Sequence, residues 1–169
     1  TLSELIKIAK VYVLLSTKAE QVNMTDGSAT GITAVGKNGT KYIINAKAVL
    51  LATGGYGYNK EMLKGSLKDA LYYGPVSSTG DGHKMAEKAG AAMQLMDYGK
   101  LYPQGIEVAP GIAKSTLQGN IGAYNQAGIM VDKNGIRVIN EKGSGIDMVA
   151  IQTKLPASTL YFALDQKSF

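Results

Sequence analysis

Cysteine and tryptophan are absent from this chain of 169 residues, and histidine and arginine occur once each, as His83 and Arg137. Without cysteine there is no disulfide and no thiolate metal site, although that absence alone does not name a compartment. One histidine among scattered carboxylates also lacks the ligand spacing of a zinc site, so no metal is expected. Long hydrophobic runs are missing too. None approaches the ~20 residues of a membrane-spanning helix, and the opening TLSELIKIAK has no signal-peptide pattern. The formal charge is +5, but the basic residues are mostly single, dispersed lysines. With no basic cluster interleaved with aromatics, nucleic acid is excluded as a partner. The chain starts on Thr1 and stops abruptly at DQKSF, so a segment of a longer protein is expected. Its compartment, cytoplasm or cell surface and periplasm, then depends on a preceding N-terminus.

What remains is the composition of a folded domain, with 45% hydrophobic and 18% charged residues. Thr1 and Glu4 have capping-box spacing ahead of Leu2, Leu5, Ile6 and Ala9, which predicts a short amphipathic helix. Strand-like runs follow at 11–16, 19–25, 30–35, 40–45 and 48–52, with Lys37-Asn38-Gly39 as a hairpin turn. The pattern reads as an antiparallel meander feeding a buried strand. Residues 59–71 predict a helix or helical pair broken near Gly65. Asp81 is a candidate N-cap for a helix through Met93, with Met85, Ala86, Ala89 and Met93 as its apolar stripe. Residues 98–128 show no period and resemble a site-lining region more than a linker. A second hairpin is expected around Asn134-Gly135, and a last strand at 160–164. The two hairpin sequences are alike, and shared turn chemistry accounts for that as well as duplication does.

Ala52-Thr53-Gly54-Gly55 follows the apolar run directly. Small residues at the carboxyl end of a strand let backbone approach a flat or phosphorylated ligand; a tight turn demanding glycine explains them equally. No GxGxxG occurs, so a pyrophosphate site of that type is not in this chain. Thr79-Gly80-Asp81-Gly82 offers backbone amides at a helix start, or simply a capped entry. His83 lies in the first helical turn with no evident triad partner, which favours a solvent-facing role. Tyr98, Tyr102 and Tyr124 combine a hydroxyl with a rigid apolar body. They suit ligand orientation or packing. Turn chemistry suffices for Asp132 and Asn140, and an ion pair is the commoner use of Arg137 and Glu141.

In order, AKAVLLATGGYGYN, STGDGHKMAEKAGAAM, LYPQ, GIMVDKNGIRVINE and LYFALDQKSF resemble fumarate reductase flavoprotein subunits and their urocanate-type enoate reductase relatives. The resemblance implies an α+β architecture. Residues 1–55 would be the meander and returning strand of an FAD-binding domain, and 56–169 part of a capping, substrate domain. It implies FAD as cofactor of the full-length protein, bound through Ala52, Thr53, Gly54, Gly55, Thr79, Gly80, Asp81 and Gly82. The segment alone is expected to hold FAD poorly and to be inactive. A small unsaturated carboxylate is the implied substrate, with hydride delivered from reduced FAD; the electron donor stays open.

Some residues depart from the family. Tyr102 stands where fumarate reductases place a carboxylate-binding histidine; urocanate reductases resemble this chain in placing tyrosine there, and Tyr124 is a second candidate for orienting substrate. The Thr-Glu pair and arginine of the fumarate pocket have no counterpart in GNIGAYNQAG. Arg137, Asn140 and Glu141 match the family's RFVNE, with Val138 and Ile139 replacing its Phe and Val. The arginine that delivers the proton falls at Gly145, so the catalytic residue is unassigned. These departures imply a substrate other than fumarate. A dehydrogenase or oxidase of the same superfamily, or a flavin-binding module without turnover, is the alternative.

Overall fold

The computed structural model describes residues 1–115 and 128–165. Contacts divide the chain into two units. One comprises Thr1–Gly55 and Gly80–Gln94, the other Tyr56–Thr79 and the chain from Leu95 onward. Residues 80–94, counted with the second domain on sequence, thus group by contact with the first.

In the first unit, α1 (Leu2–Ile8) forms with both arms of the Thr1–Glu4 capping box in place. Strands β1 (Thr17–Thr25), β2 (Ser28–Gly36) and β3 (Lys41–Asn45) make an antiparallel meander in sequential order. The β1–β2 turn is Asp26-Gly27, both at positive φ, which suits the right-handed twist of the flanking strands. Helix α2 (Asp81–Lys88) packs on β1. Val22, Ala34 and Met85, one from each of β1, β2 and α2, are buried.

The second unit contains two small antiparallel ribbons. Strands β4 (Ile106–Ala109) and β5 (Ile112–Lys114) pair with each other, as do β6 (Ile129–Val131) and β7 (Tyr161–Ala163). Helix α3 (Gly145–Gln152) supplies Met148 to a core with Met130 and Ile139, against which Ile151, Leu160 and Phe162 pack.

Several expected elements differ. Residues 11–16 form no strand, and Val11, Tyr12, Val13 and Leu15 are exposed. The apolar run 48–52 forms no strand, with Leu50 89% exposed. Apolar character alone makes no strand, and no described strand pairs with this run. Between 59 and 71 only a 3₁₀ turn at Gly65–Leu67 forms. There Gly65 adopts φ +53°, and the Lys60 ammonium donates to the carbonyls of Lys68 (2.8 Å) and Ala70 (2.5 Å). The cap of α2 is Gly80, at φ +78°, and Asp81 is the first helical residue instead. Around Asn134-Gly135 a tight turn closes with one bridge, Val131 to Arg137, rather than a full hairpin. The Met130 N–H donates to the Glu141 carboxylate at 2.7 Å.

Candidate functional site

Within the first unit, the two small-residue segments meet. The Gly80 N–H donates to the Gly55 carbonyl at 3.2 Å. A Cβ built on Gly82 would stand 1.9 Å from Thr53 Oγ1 and 3.0 Å from Thr53 Cβ. Only glycine lets the α2 entry press so closely on the end of the extended segment. At Gly54 and Gly55 the space is open: added Cβ atoms would meet nothing within 4 Å among the described residues. Gly54 holds φ +77°, a left-handed conformation that glycine adopts without strain. Gly54 and Gly55 therefore present bare backbone, next to a Thr53 side chain against which the start of a helix packs.

Gly80 and Gly82 are buried, whereas Ala52, Thr53, Gly54, Gly55 and Asp81 are exposed. The Asp81 carboxylate, in the first turn of α2, complements the positive end of the helix and stands 3.9 Å from the Lys18 ammonium. A carboxylate already placed there argues against a further anion at that terminus. His83 is half-buried in the same turn. Thr79 groups with the second unit, where its carbonyl accepts from Asn59 Nδ2 at 3.0 Å. A cradle that a Cβ would fill, open at Gly54-Gly55, suits a flat ligand such as a flavin lying against backbone.

In the second unit Tyr102 is 47% exposed, and the Lys100 ammonium lies 4.7 Å from its ring centroid. Among the described residues, Pro103 Cδ is the one atom within 4.0 Å of a Cβ built on Gly145, so position 145 borders the Tyr102-Pro103 segment. Tyr98 is exposed, and Tyr124 lies outside the described residues. Arg137 is not available for chemistry. Its Nε and Nη2 donate to the Glu141 carboxylate at 3.2 and 2.6 Å, and Glu141 is buried. The Arg137 donors lead in holding the Glu141 carboxyl down to about 2, with the Met130 N–H adding to them against the cost of burial. Asp132 Oδ1 accepts from the N–H groups of Asn134 and Ile136 at 2.8 and 3.0 Å, and Asn140 Oδ1 from that of Lys142 at 3.1 Å. Both are turn formers.

Lys100 escaped the sequence reading because an isolated lysine carries no pattern. The depth of Glu141 escaped it because that depth depends on Met130, eleven residues away.

A family model described as FAD binding domain matches residues 1–160. A probable fumarate reductase Ifc3 of Shewanella frigidimarina is 38% identical over 119 residues, covering 69% of this chain and 19% of that protein. A urocanate reductase of Eggerthella lenta is 34% identical over 147 residues, covering 79% of this chain and 22% of its own length. The open conformation of a flavocytochrome c3 fumarate reductase matches with a TM-score of 0.78 at 27% identity, over 99% of this chain and 29% of that one. The chain thus spans about a fifth of the length of these curated relatives.

Proposed function

This chain belongs to the FAD binding domain family, and on that premise we propose that its parent protein is an FAD-dependent oxidoreductase reducing the C=C bond of an unsaturated carboxylate other than fumarate. The observation that carries the proposal is the interlock of Gly82 on Thr53 beneath the open backbone of Gly54 and Gly55. Ala52 to Gly55, with Gly80 to Gly82 behind them, hold the cofactor by main-chain contact. FAD, when bound, supplies two-electron hydride chemistry. The chain's own residues exclude side chains from the contact surface and fix its backbone.

The substrate side rests on three positions. Tyr102 offers a hydroxyl in place of an imidazole. Gly145 offers neither charge nor donor, which an arginine in its place would supply. Arg137, the single arginine, is committed to Glu141. These three positions disfavour a small dicarboxylate, and relatives named for fumarate and urocanate reduction support the general reaction class.

The test uses the intact flavoprotein, photoreduced without oxygen, with flavin absorbance followed as fumarate, urocanate, acrylate or cinnamate is added. Rapid reoxidation by a non-fumarate acceptor is expected. Fast reaction with fumarate overturns the substrate assignment. Silence towards all four overturns enoate reduction and turns the assignment to a dehydrogenase or a flavin module without turnover.

A further inference from the structure

Three cations of the second unit have defined polar partners. Lys64 pairs with Asp97, Lys60 donates to two carbonyls, and Arg137 holds Glu141. Lys100 is different. It has no carboxylate partner among the described residues, and its ammonium lies over the Tyr102 ring at 4.7 Å. That is inside the ~6 Å range of a cation–π contact. A hydrogen bond to Tyr102 raises the Lys100 pKa, so the group stays charged through neutral pH. The Tyr102 phenol carries an O–H donor of its own. Beside this pair, a side chain at position 145 would meet Pro103 first, and among the described residues glycine leaves that space open.

We propose that Lys100 and Tyr102 together form the subsite that takes the substrate carboxylate, the ammonium pairing with it and the phenol donating to it, while Gly145 leaves room for the rest of the molecule. The proposal rests on the enoate reduction proposed above and adds the residue that reads the charge. Lys100 acts as a specificity residue: it selects a carboxylate over a neutral group of the same shape.

The test is equilibrium binding to the oxidised, intact flavoprotein, independent of turnover. Succinate, imidazolepropionate, propionate and 3-phenylpropionate are titrated calorimetrically, each against its primary amide. One acid other than succinate is expected to bind at least about tenfold more tightly than its amide, the scale of one charge-assisted hydrogen bond. Lys100→Met should erase that acid-over-amide preference and leave amide binding unchanged. Lys100→Arg should restore most of it, and Tyr102→Phe should weaken acid and amide together. Lys100 is on the surface, so an unaltered flavin spectrum in the variants confirms folding. If the acid binds Lys100→Met as it binds the unaltered protein while an enoate still reoxidises the flavin, the Lys100 assignment alone is wrong. If no acid binds and no enoate reoxidises the flavin, enoate reduction is wrong and the subsite falls with it.

Discussion

At the entry of α2 in the first unit, backbone meets backbone: Gly80 N–H donates to the Gly55 carbonyl, and Gly82 leaves Thr53 no room to face anything larger. The turn into α3 in the second unit is fixed by side chains, with Glu141 gathering the Met130 N–H and two donors of Arg137. Both arrangements anchor the start of an eight-residue helix. They differ in what they leave exposed. The glycine interlock leaves bare main chain, suited to a ligand recognised by shape and by peptide groups. The carboxylate staple leaves Tyr102, Lys100 and the gap at Gly145 as the variable surface. A constant cofactor and a varying substrate would call for that division.

The largest effect should follow from filling the interlock. Gly82→Ala adds one methyl group at a site where its Cβ would lie 1.9 Å from Thr53 Oγ1. Alanine favours a helix by ~1 kcal/mol over glycine, so a net loss isolates the clash. We expect about 3 kcal/mol of destabilisation, the upper range of overpacking, read as a shift of the urea midpoint, with loss of flavin retention in the intact protein. Thr53→Ala removes the nearest atom and should recover part of that loss in the double variant. Additive losses would mean that the two residues do not share this contact.

Glu141→Gln should come next. A fully buried pair costs 3–5 kcal/mol to break, but Arg137 is exposed enough to rehydrate. About 2 kcal/mol is the expected loss in urea unfolding. The pH dependence has a definite sign. The Glu141 carboxyl is lowered in the folded chain to about 2 from 4.5, so its contribution is complete above the unfolded value and is lost as pH falls from about 4.5 towards 2. Titrating stability from pH 7 to pH 2 should show that decline, flattened in Glu141→Gln. An identical profile in the variant would assign the acid loss to other carboxylates.

Gly54 and Gly55 sharpen the contrast inside the first unit. Neither would meet an atom within 4 Å of an added Cβ, yet only Gly54 holds a positive φ. Gly54→Ala should cost about 1–2 kcal/mol from the left-handed backbone, and Gly55→Ala close to nothing. Equal costs would show that packing, not conformation, governs this segment.

Legibility in the sequence followed the range of the interaction. The Thr1–Glu4 box and the Lys37-Asn38-Gly39 turn are local and were read correctly. Asp26-Gly27 was equally local but was passed over between two strands that drew attention. The run at 48–52 was misread because a strand needs a neighbour's edge as well as apolar residues. At 59–71 a plausible helical pattern gives only a 3₁₀ turn, entered through Gly65 at positive φ. For the candidate site, the two glycine segments were singled out, but their mutual contact was not. A contact between Thr53 and Gly82 leaves no periodic trace.

Helix α3 was missed despite a readable start. Ser144-x-x-Asp147 precedes an apolar run, and the structure shows Ser144 Oγ accepting from the Asp147 N–H at 3.2 Å while donating to its carboxylate at 2.7 Å. The cap stands one residue before Gly145, so it sets where the helix begins beside Pro103. Ser144→Ala removes one acceptor for an orphan N–H and should cost ~1 kcal/mol. Ser144→Asp should recover it through the same acceptor and the helix dipole, less what repulsion from Asp147 takes back. Because α3 carries Met148 into the core, the loss should appear as a lower urea midpoint with an unchanged slope. A changed slope would instead show that α3 detaches before the rest of its unit. The staple at Glu141 and the cap at Ser144 would then hold the helix separately, and side chains would anchor the second unit piecewise where backbone holds the first as one.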